Sequence, residues 1–320
     1  MKTTLPIDTA HAPAGRAAAM APLVIVLTDG GPMIGLGHVG RCLAICEELE
    51  GRAAFAVEDP GNAGVLAGHG VALLDASAAA PVVLIDRPEP TGADEVARLH
   101  AEGRRVCLLD DPGEGRASAD LLIDPPTGVS WPPAGGRRLA GFEHVLLRRE
   151  VRAAAKRPLP GVEVLLSLGG SDPEGLTPSL AQALRAAGAS VLTVLGPAYQ
   201  GPAPVGEVLD NPDDWPRALA GAQLLVGRFG HTVLEAAHLG TPALAAATSE
   251  RAGEEAQAFA AHGTIDAIRV HGPDDARAVA ELALALLADP ERLAAMAARG
   301  RTLVDGRGAA RVAAALRELA

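Results

Sequence analysis

Short apolar runs of four to six residues recur along this chain in two series. The first is carried by PLVIVLTD (22–29), AAFAV (53–57), VALL (71–74), PVVLID (81–86), RVCLLDD (105–111) and DLLID (120–124). Helix-compatible segments such as GADEVARLHAEG (92–103) lie between most of them. Strands this short and this apolar, alternating with helices, predict parallel sheets covered on both faces. After RREVRAAAKRPLPGVE (148–163), a basic stretch carrying Pro158 and Pro160, the pattern restarts with VEVLLSL (162–168), SVLTVL (190–195), AQLLVG (222–227) and TPALAAA (241–247).

The expected organisation is therefore an α/β chain of two Rossmann-like halves facing a central cleft. The first half spans 21–150 and the second 163–305, joined by a linker over 151–162 and followed by a C-terminal helix over 306–320. Residues 1–20 read as a disordered leader, with Met20 as an alternative start. A length of 320 residues suits two domains. Hydrophobic residues make up 48% of the chain but aromatics only 2%, so Ala, Val and Leu must build the core.

Charge narrows the partners. A net charge of −11 with no basic block argues against nucleic acid or an anionic membrane surface, though a local site can still take a small anion. No apolar run approaches the ~20 residues of a membrane helix. Cys42, Cys46 and Cys107 form no paired metal spacing and read as buried, reduced thiols of a cytoplasmic protein. No His/Asp/Glu cluster has metal spacing either, so neither a metal nor a cofactor is expected.

Three glycine-bearing loops follow predicted strands. In MIGLGHVGRC (33–42), Gly35 and Gly37 deliver His38 to a helix start, where the dipole favours a neutral imidazole. His38 then fits a general base or a capping side chain equally well. In LLSLGGSDPEGLTPSL (165–180), Gly169, Gly170 and Ser171 precede a helix with Pro178 in its first turn, which suits an anion. The Walker Lys is missing, and Asp172 reads as a cap. In VGRFGHTVLEAAHLGTP (226–242), Gly230, His231 and Thr232 offer donors to phosphate and Glu235 suits a ribose diol. Arg228 fits pyrophosphate or a neighbouring acid.

Together these loops resemble a family. The chain is similar to the nucleotide-sugar hydrolases of pseudaminic acid biosynthesis and to spore-coat polysaccharide glycosyltransferases, GT-B-fold relatives of the lipid II-forming N-acetylglucosaminyltransferase. The family's I-G-x-G-H-x-x-R-C pattern matches Ile34, Gly35, Gly37, His38, Arg41 and Cys42, and its Gly-Gly-Ser/Thr-Asp loop matches Gly169 to Asp172. Its paired acids match Asp110 and Asp111, its LxRxEF-like segment Leu146, Arg148 and Glu150, and its helix glutamate Glu235.

The resemblance implies a GT-B fold and a nucleotide-sugar substrate, a UDP-linked amino or deoxy sugar. His38 would activate water at the anomeric carbon, with inversion and no metal, and Asp29 would orient the sugar. Gly35, Gly37, Arg41, Asp86, Asp111 and Arg148 would contact the substrate. Gly169, Gly170, Ser171, Arg228, Gly230, His231, Thr232 and Glu235 would hold the nucleotide. Leu27, Arg87, Pro88, Glu250 and Arg251 depart from the family at loops expected to touch the sugar. Two other readings share the motifs: a glycosyltransferase in which His38 deprotonates an acceptor hydroxyl, and a noncatalytic nucleotide-sugar-binding subunit.

Overall fold

The computed structural model describes residues 21–29, 37–56, 66, 70–124, 132–154, 161–212 and 214–320. The expected leader, Ile34, Gly35, Pro158 and Pro160 lie outside them.

The first series of apolar runs forms β1 (Val24–Thr28), β2 (Ala53–Ala56), β3 (Ala72–Leu73), β4 (Val82–Asp86), β5 (Arg105–Leu109) and β6 (Leu121–Asp124), with β7 (Arg137–Ala140) added at the edge. Their order is β3-β2-β1-β4-β5-β6-β7, and neighbouring strands run parallel. The second series forms β8 (Val164–Ser167), β9 (Val191–Leu195), β10 (Glu207–Asp210), β11 (Leu224–Arg228), β12 (Ala243–Ala247) and β13 (Ile265–Arg269). These lie parallel in the order β10-β9-β8-β11-β12-β13. The edge strands β7, β10 and β13 carry charged residues and half-exposed positions, so they lack the continuous apolar run that marks a central strand.

Helices cover the sheets: α1 (Gly37–Glu48), α2 (Ala93–Ala101), α3 (Arg149–Ala154), α4 (Thr177–Ala186), α5 (Trp215–Gly221), α6 (His231–Leu239), α7 (Glu250–Ala260), α8 (Ala276–Leu287), α9 (Pro290–Leu303) and α10 (Gly308–Leu319). With few aromatics, the core is assembled from small branched and unbranched side chains; all five residues of β12, ALAAA, are buried. All three cysteines are buried and free.

The two halves interlock at the crossing segment. Leu146 packs into the core of the first sheet, while Val145, Leu147, Val151 and Ala154 pack into the core of the second. The first residues of the expected linker, 151–154, are thus helical and buried on one face, because α3 has an apolar side to hide. Its basic residues meet acids of α1: Arg152 reaches Glu48 at 2.6 Å, and the Arg149 amide donates to Glu47 at 2.6 Å. The chain then returns, and α10 buries Val312, Ala313 and Leu316 in the first core beside α1.

Candidate active site

Each sheet changes its winding direction at its centre, between β1 and β4 and between β8 and β11. Loops leaving the strands diverge there and open a crevice beyond the carboxyl ends. Thr28 pairs with Asp86 across the first such point, and Gly227 with Ser167 across the second. The local sequence places α1 after β1 and the two later glycine loops after β8 and β11, so all three converge on the same cleft.

A cavity of about 610 Å³ lies there, within the usual size of a small-molecule site. Gly37, Gly40 and Leu43 of α1 line one wall, with Arg148 and Glu150 from the crossing segment. Ser167, Gly169 and Gly170 line another, beside His231, Thr232 and Glu235 at the start of α6. Residues that the motifs did not mark complete it: Val194, Gly196, Pro197, Asn211 and Trp215. Trp215 had a signal, as one of two tryptophans in an aromatic-poor chain.

Close backbone packing shapes the glycine loops. Gly169 has φ 89°, a left-handed conformation suited to glycine. A Cβ on Gly196 would sit 2.3 Å from the Gly169 carbonyl oxygen and 2.5 Å from Gly170 Cα, so the two loops touch main chain to main chain. Asp172 caps α4, accepting from the amides of Leu176 at 3.0 Å and Thr177 at 2.7 Å. The start of α6 differs: Gly230 provides no side-chain cap, and no acid lies in the first turn. His231 and Thr232 of that first turn line the cavity, and the positive end of the helix dipole there favours an anion.

His38 sits one residue into α1. Its Nδ1 lies 2.6 Å from Asp86 Oδ1 and 3.1 Å from an Arg41 nitrogen. One ring nitrogen cannot serve both, and the shorter contact with a carboxylate assigns the proton to Nδ1, leaving the Nε2 lone pair available. Asp86 has 0% side-chain exposure. Arg41 spans it, with Nε 2.7 Å from Oδ2 and a terminal nitrogen 2.5 Å from Oδ1, and Cys42 Sγ adds a contact at 3.3 Å. Burial by itself opposes ionisation of Asp86, but Arg41 and the hydrogen bonds from Arg41 and His38 overcome it and hold the carboxyl at about 2. A buried carboxylate that orients an imidazole is the arrangement that keeps a histidine base in one tautomer.

Two further groups have shifted ionisation. Burial raises the Glu235 carboxyl to about 7, against the pull of Arg148 and with a contribution from Glu150. Burial also lowers His231 to about 4, helped by Arg41 and Arg148, so this ring is neutral across the physiological range.

Several expected substrate contacts belong to the protein interior instead. Asp111 is 3% exposed, and its oxygens accept from the amides of Thr91 and Gly113, so it fixes a loop. Both oxygens of Asp86 meet protein groups: Oδ1 meets His38 and Arg41, and Oδ2 meets Arg41 and Cys42. Arg41 is likewise engaged, by Asp86 and by Asp110 at 3.0 Å. Ser171 is buried at 4% and outside the cavity lining. Arg228 pairs with Glu174 at 3.2 Å, and Glu174 also accepts from Thr248 at 2.9 Å, tying the second and third loops together. Asp29 directly follows β1. Among the described residues, no group of three or more His, Cys, Asp or Glu is placed to hold a metal ion. No described helix is long and apolar enough to cross a membrane.

Comparison with known proteins places this architecture. No family model matches the chain, and no curated protein does. Solved structures similar to it include MurG of Acinetobacter baumannii, at 15% identity over 93% of this chain and 100% of that one, with a TM-score of 0.60. The spinosyn rhamnosyltransferase SpnG complexed with thymidine diphosphate is 15% identical over 94% and 100% of the two chains, with a TM-score of 0.62. Anabaena HepE in complex with UDP-glucose is 13% identical over 92% and 98%, with a TM-score of 0.56. The protein has the GT-B fold: two parallel-sheet α/β domains about a cleft.

Proposed function

We propose that the protein is a glycosyltransferase that takes its sugar from a nucleoside diphosphate. The carrying observation is the shared cavity, which brings the start of α6, the Gly169–Gly170 loop and Gly37 and Gly40 of α1 together; His38, held by Asp86, lies between those two glycines in sequence and is not itself among the lining residues. In this reading the diphosphate lies against α6 and the glycine loop, and the ribose hydroxyls meet Glu235. Trp215 offers a flat face for the base beside Asn211. A pyrimidine base is supported by the similar folds that hold UDP-glucose and thymidine diphosphate.

His38 Nε2 removes the proton from an acceptor hydroxyl as its oxygen bonds to the anomeric carbon. The bond from that carbon to the diphosphate oxygen breaks, configuration inverts, and Asp86 stabilises the imidazolium formed at His38. Amides at the helix start take up the charge on the departing diphosphate, so the chemistry needs no metal. The glycosyltransferase reading stands ahead of hydrolysis because similar folds include transferases. The motif from Ile34 to Cys42 supports a second reading, in which water replaces the acceptor.

The deciding experiment incubates the protein with UDP-, TDP-, GDP- and CMP-sugars, with and without an acceptor extract. Nucleotide release that depends on acceptor supports transfer, and release of free sugar without acceptor supports hydrolysis. Binding without any release supports a noncatalytic subunit. EDTA should leave the rate unchanged.

A further inference from the structure

Asp110 takes no part in the reaction described above, yet it is held with unusual care. It directly follows β5 and has a left-handed backbone, φ 54°, which few non-glycine residues adopt. Its amide donates to the Ile123 carbonyl at 2.9 Å. Oδ2 accepts from Arg41 at 3.0 Å, and Oδ1 faces Arg251 of α7 at 3.4 Å. Arg41 in turn grips both oxygens of Asp86, the partner of His38. A single carboxylate therefore connects α7 in the second half to the orienting group of the imidazole in the first.

We propose that Asp110 is a positioning residue for the His38 base, pinning Arg41 against Asp86 and coupling the charge around the imidazole to Arg251 of α7 in the second half. This rests on the base role of His38 given above. The charged groups in contact with the His38 ring are Asp86 of β4 and Arg41 of α1; Cys42 touches the same Asp86 carboxylate, and Asp110 holds the far side of Arg41. From the other half, Arg251 of α7 faces Asp110 and pairs with Glu255 at 2.8 Å, and His231 of α6 feels the charges of Arg41, Arg148 and Asp86. Asp110 places a negative charge behind Arg41, and Arg251 places a positive charge beside Asp110. Loss of the Asp110 charge disfavours the imidazolium, and loss of the Arg251 charge favours it. A residue that only packs does neither.

The test is an NMR titration of the His38 ring in the full chain, comparing parent, Asp110→Asn and Arg251→Gln. Asparagine accepts a left-handed backbone, and the Arg251 side chain is 53% exposed, so both variants should keep the fold, which thermal unfolding would check first. The expected result is movement of the ring's midpoint in opposite directions, downward in D110N and upward in R251Q. On an active donor, D110N should also lose about tenfold in kcat at unchanged nucleotide Kd, since a displaced base misses its proton. Midpoints equal to the parent in both variants, or moved in the same direction, overturn the proposal. The titration needs no turnover, so a protein inert on every donor sinks the reading of function without deciding this one.

Discussion

Glu235 carries its carboxyl where little water reaches it, 4% exposed at the first turns of α6, and this sets two opposite costs. Its value is raised from 4.5 to about 7 by burial. Below 4.5 the group is protonated in both folded and unfolded chains and nothing is lost; above 7 the folded chain holds a buried charge at a cost on the order of 3 kcal/mol. Glu235→Gln should therefore raise the Tm of the ligand-free protein at pH 8, with the gain gone by pH 4.5; an unchanged difference across that range refutes the assignment. The same variant loses a charge-assisted hydrogen bond to ribose, so nucleoside diphosphate binding at pH 8 should weaken by about 1.5–3 kcal/mol in calorimetry. His38→Gln belongs at this scale too. It should leave nucleotide affinity near the parental value while turnover falls by ~10²–10⁴-fold. Parental turnover in a folded H38Q protein would make His38 structural.

Helix starts in this protein are capped in two ways, and α6 belongs with those that have no side-chain cap. Ser249 caps α7 and Asp289 caps α9 through their side chains, whereas Gly230 gives α6 no side-chain cap at the turn where His231 and Thr232 line the cavity. A side chain at Gly230 meets nothing within 4 Å, and its extended backbone admits any residue. Gly230→Asp should therefore cap the helix and stabilise the apoprotein by about 0.5–1 kcal/mol, yet weaken diphosphate binding at least tenfold by repulsion. Thermal unfolding and calorimetry on one preparation would read both signs, and parallel changes would remove α6 as the phosphate site. Gly196 makes the complementary case, because the main chain of the Gly169–Gly170 loop occupies the space of its missing Cβ. Gly196→Ala should displace that loop and reduce nucleotide affinity, an effect that calorimetry would detect.

Across the whole molecule, neither half is closed by consecutive chain alone. Residues 145–154 complete the second core, and α10 returns to complete the first. Leu316 is 0% exposed beside α1, so Leu316→Ala should cost about 2–5 kcal/mol. A chain ending at residue 306 loses Val312, Ala313 and Leu316 together; it should expose the first half to proteolysis while the second stays resistant. Equal resistance of both halves would count against α10 as the closing element.

Apolar periodicity was enough to reveal the central strands, because a strand buried on both faces must be apolar throughout its length. The three helix starts were equally legible, since glycine at the end of a strand is a local requirement of backbone and ligand approach. The edge strands β7, β10 and β13 and the wall carrying Trp215 and Asn211 were not, because their roles come from neighbours distant in sequence. Asp110 and Asp111 show the limit most clearly. They are adjacent and chemically identical, yet one turns into the Thr91 loop and the other faces Arg41 and Arg251. Local propensity cannot separate them. The contacts that do so span 20, 69 and 141 residues, and only the packing of sheets and helices sets those distances.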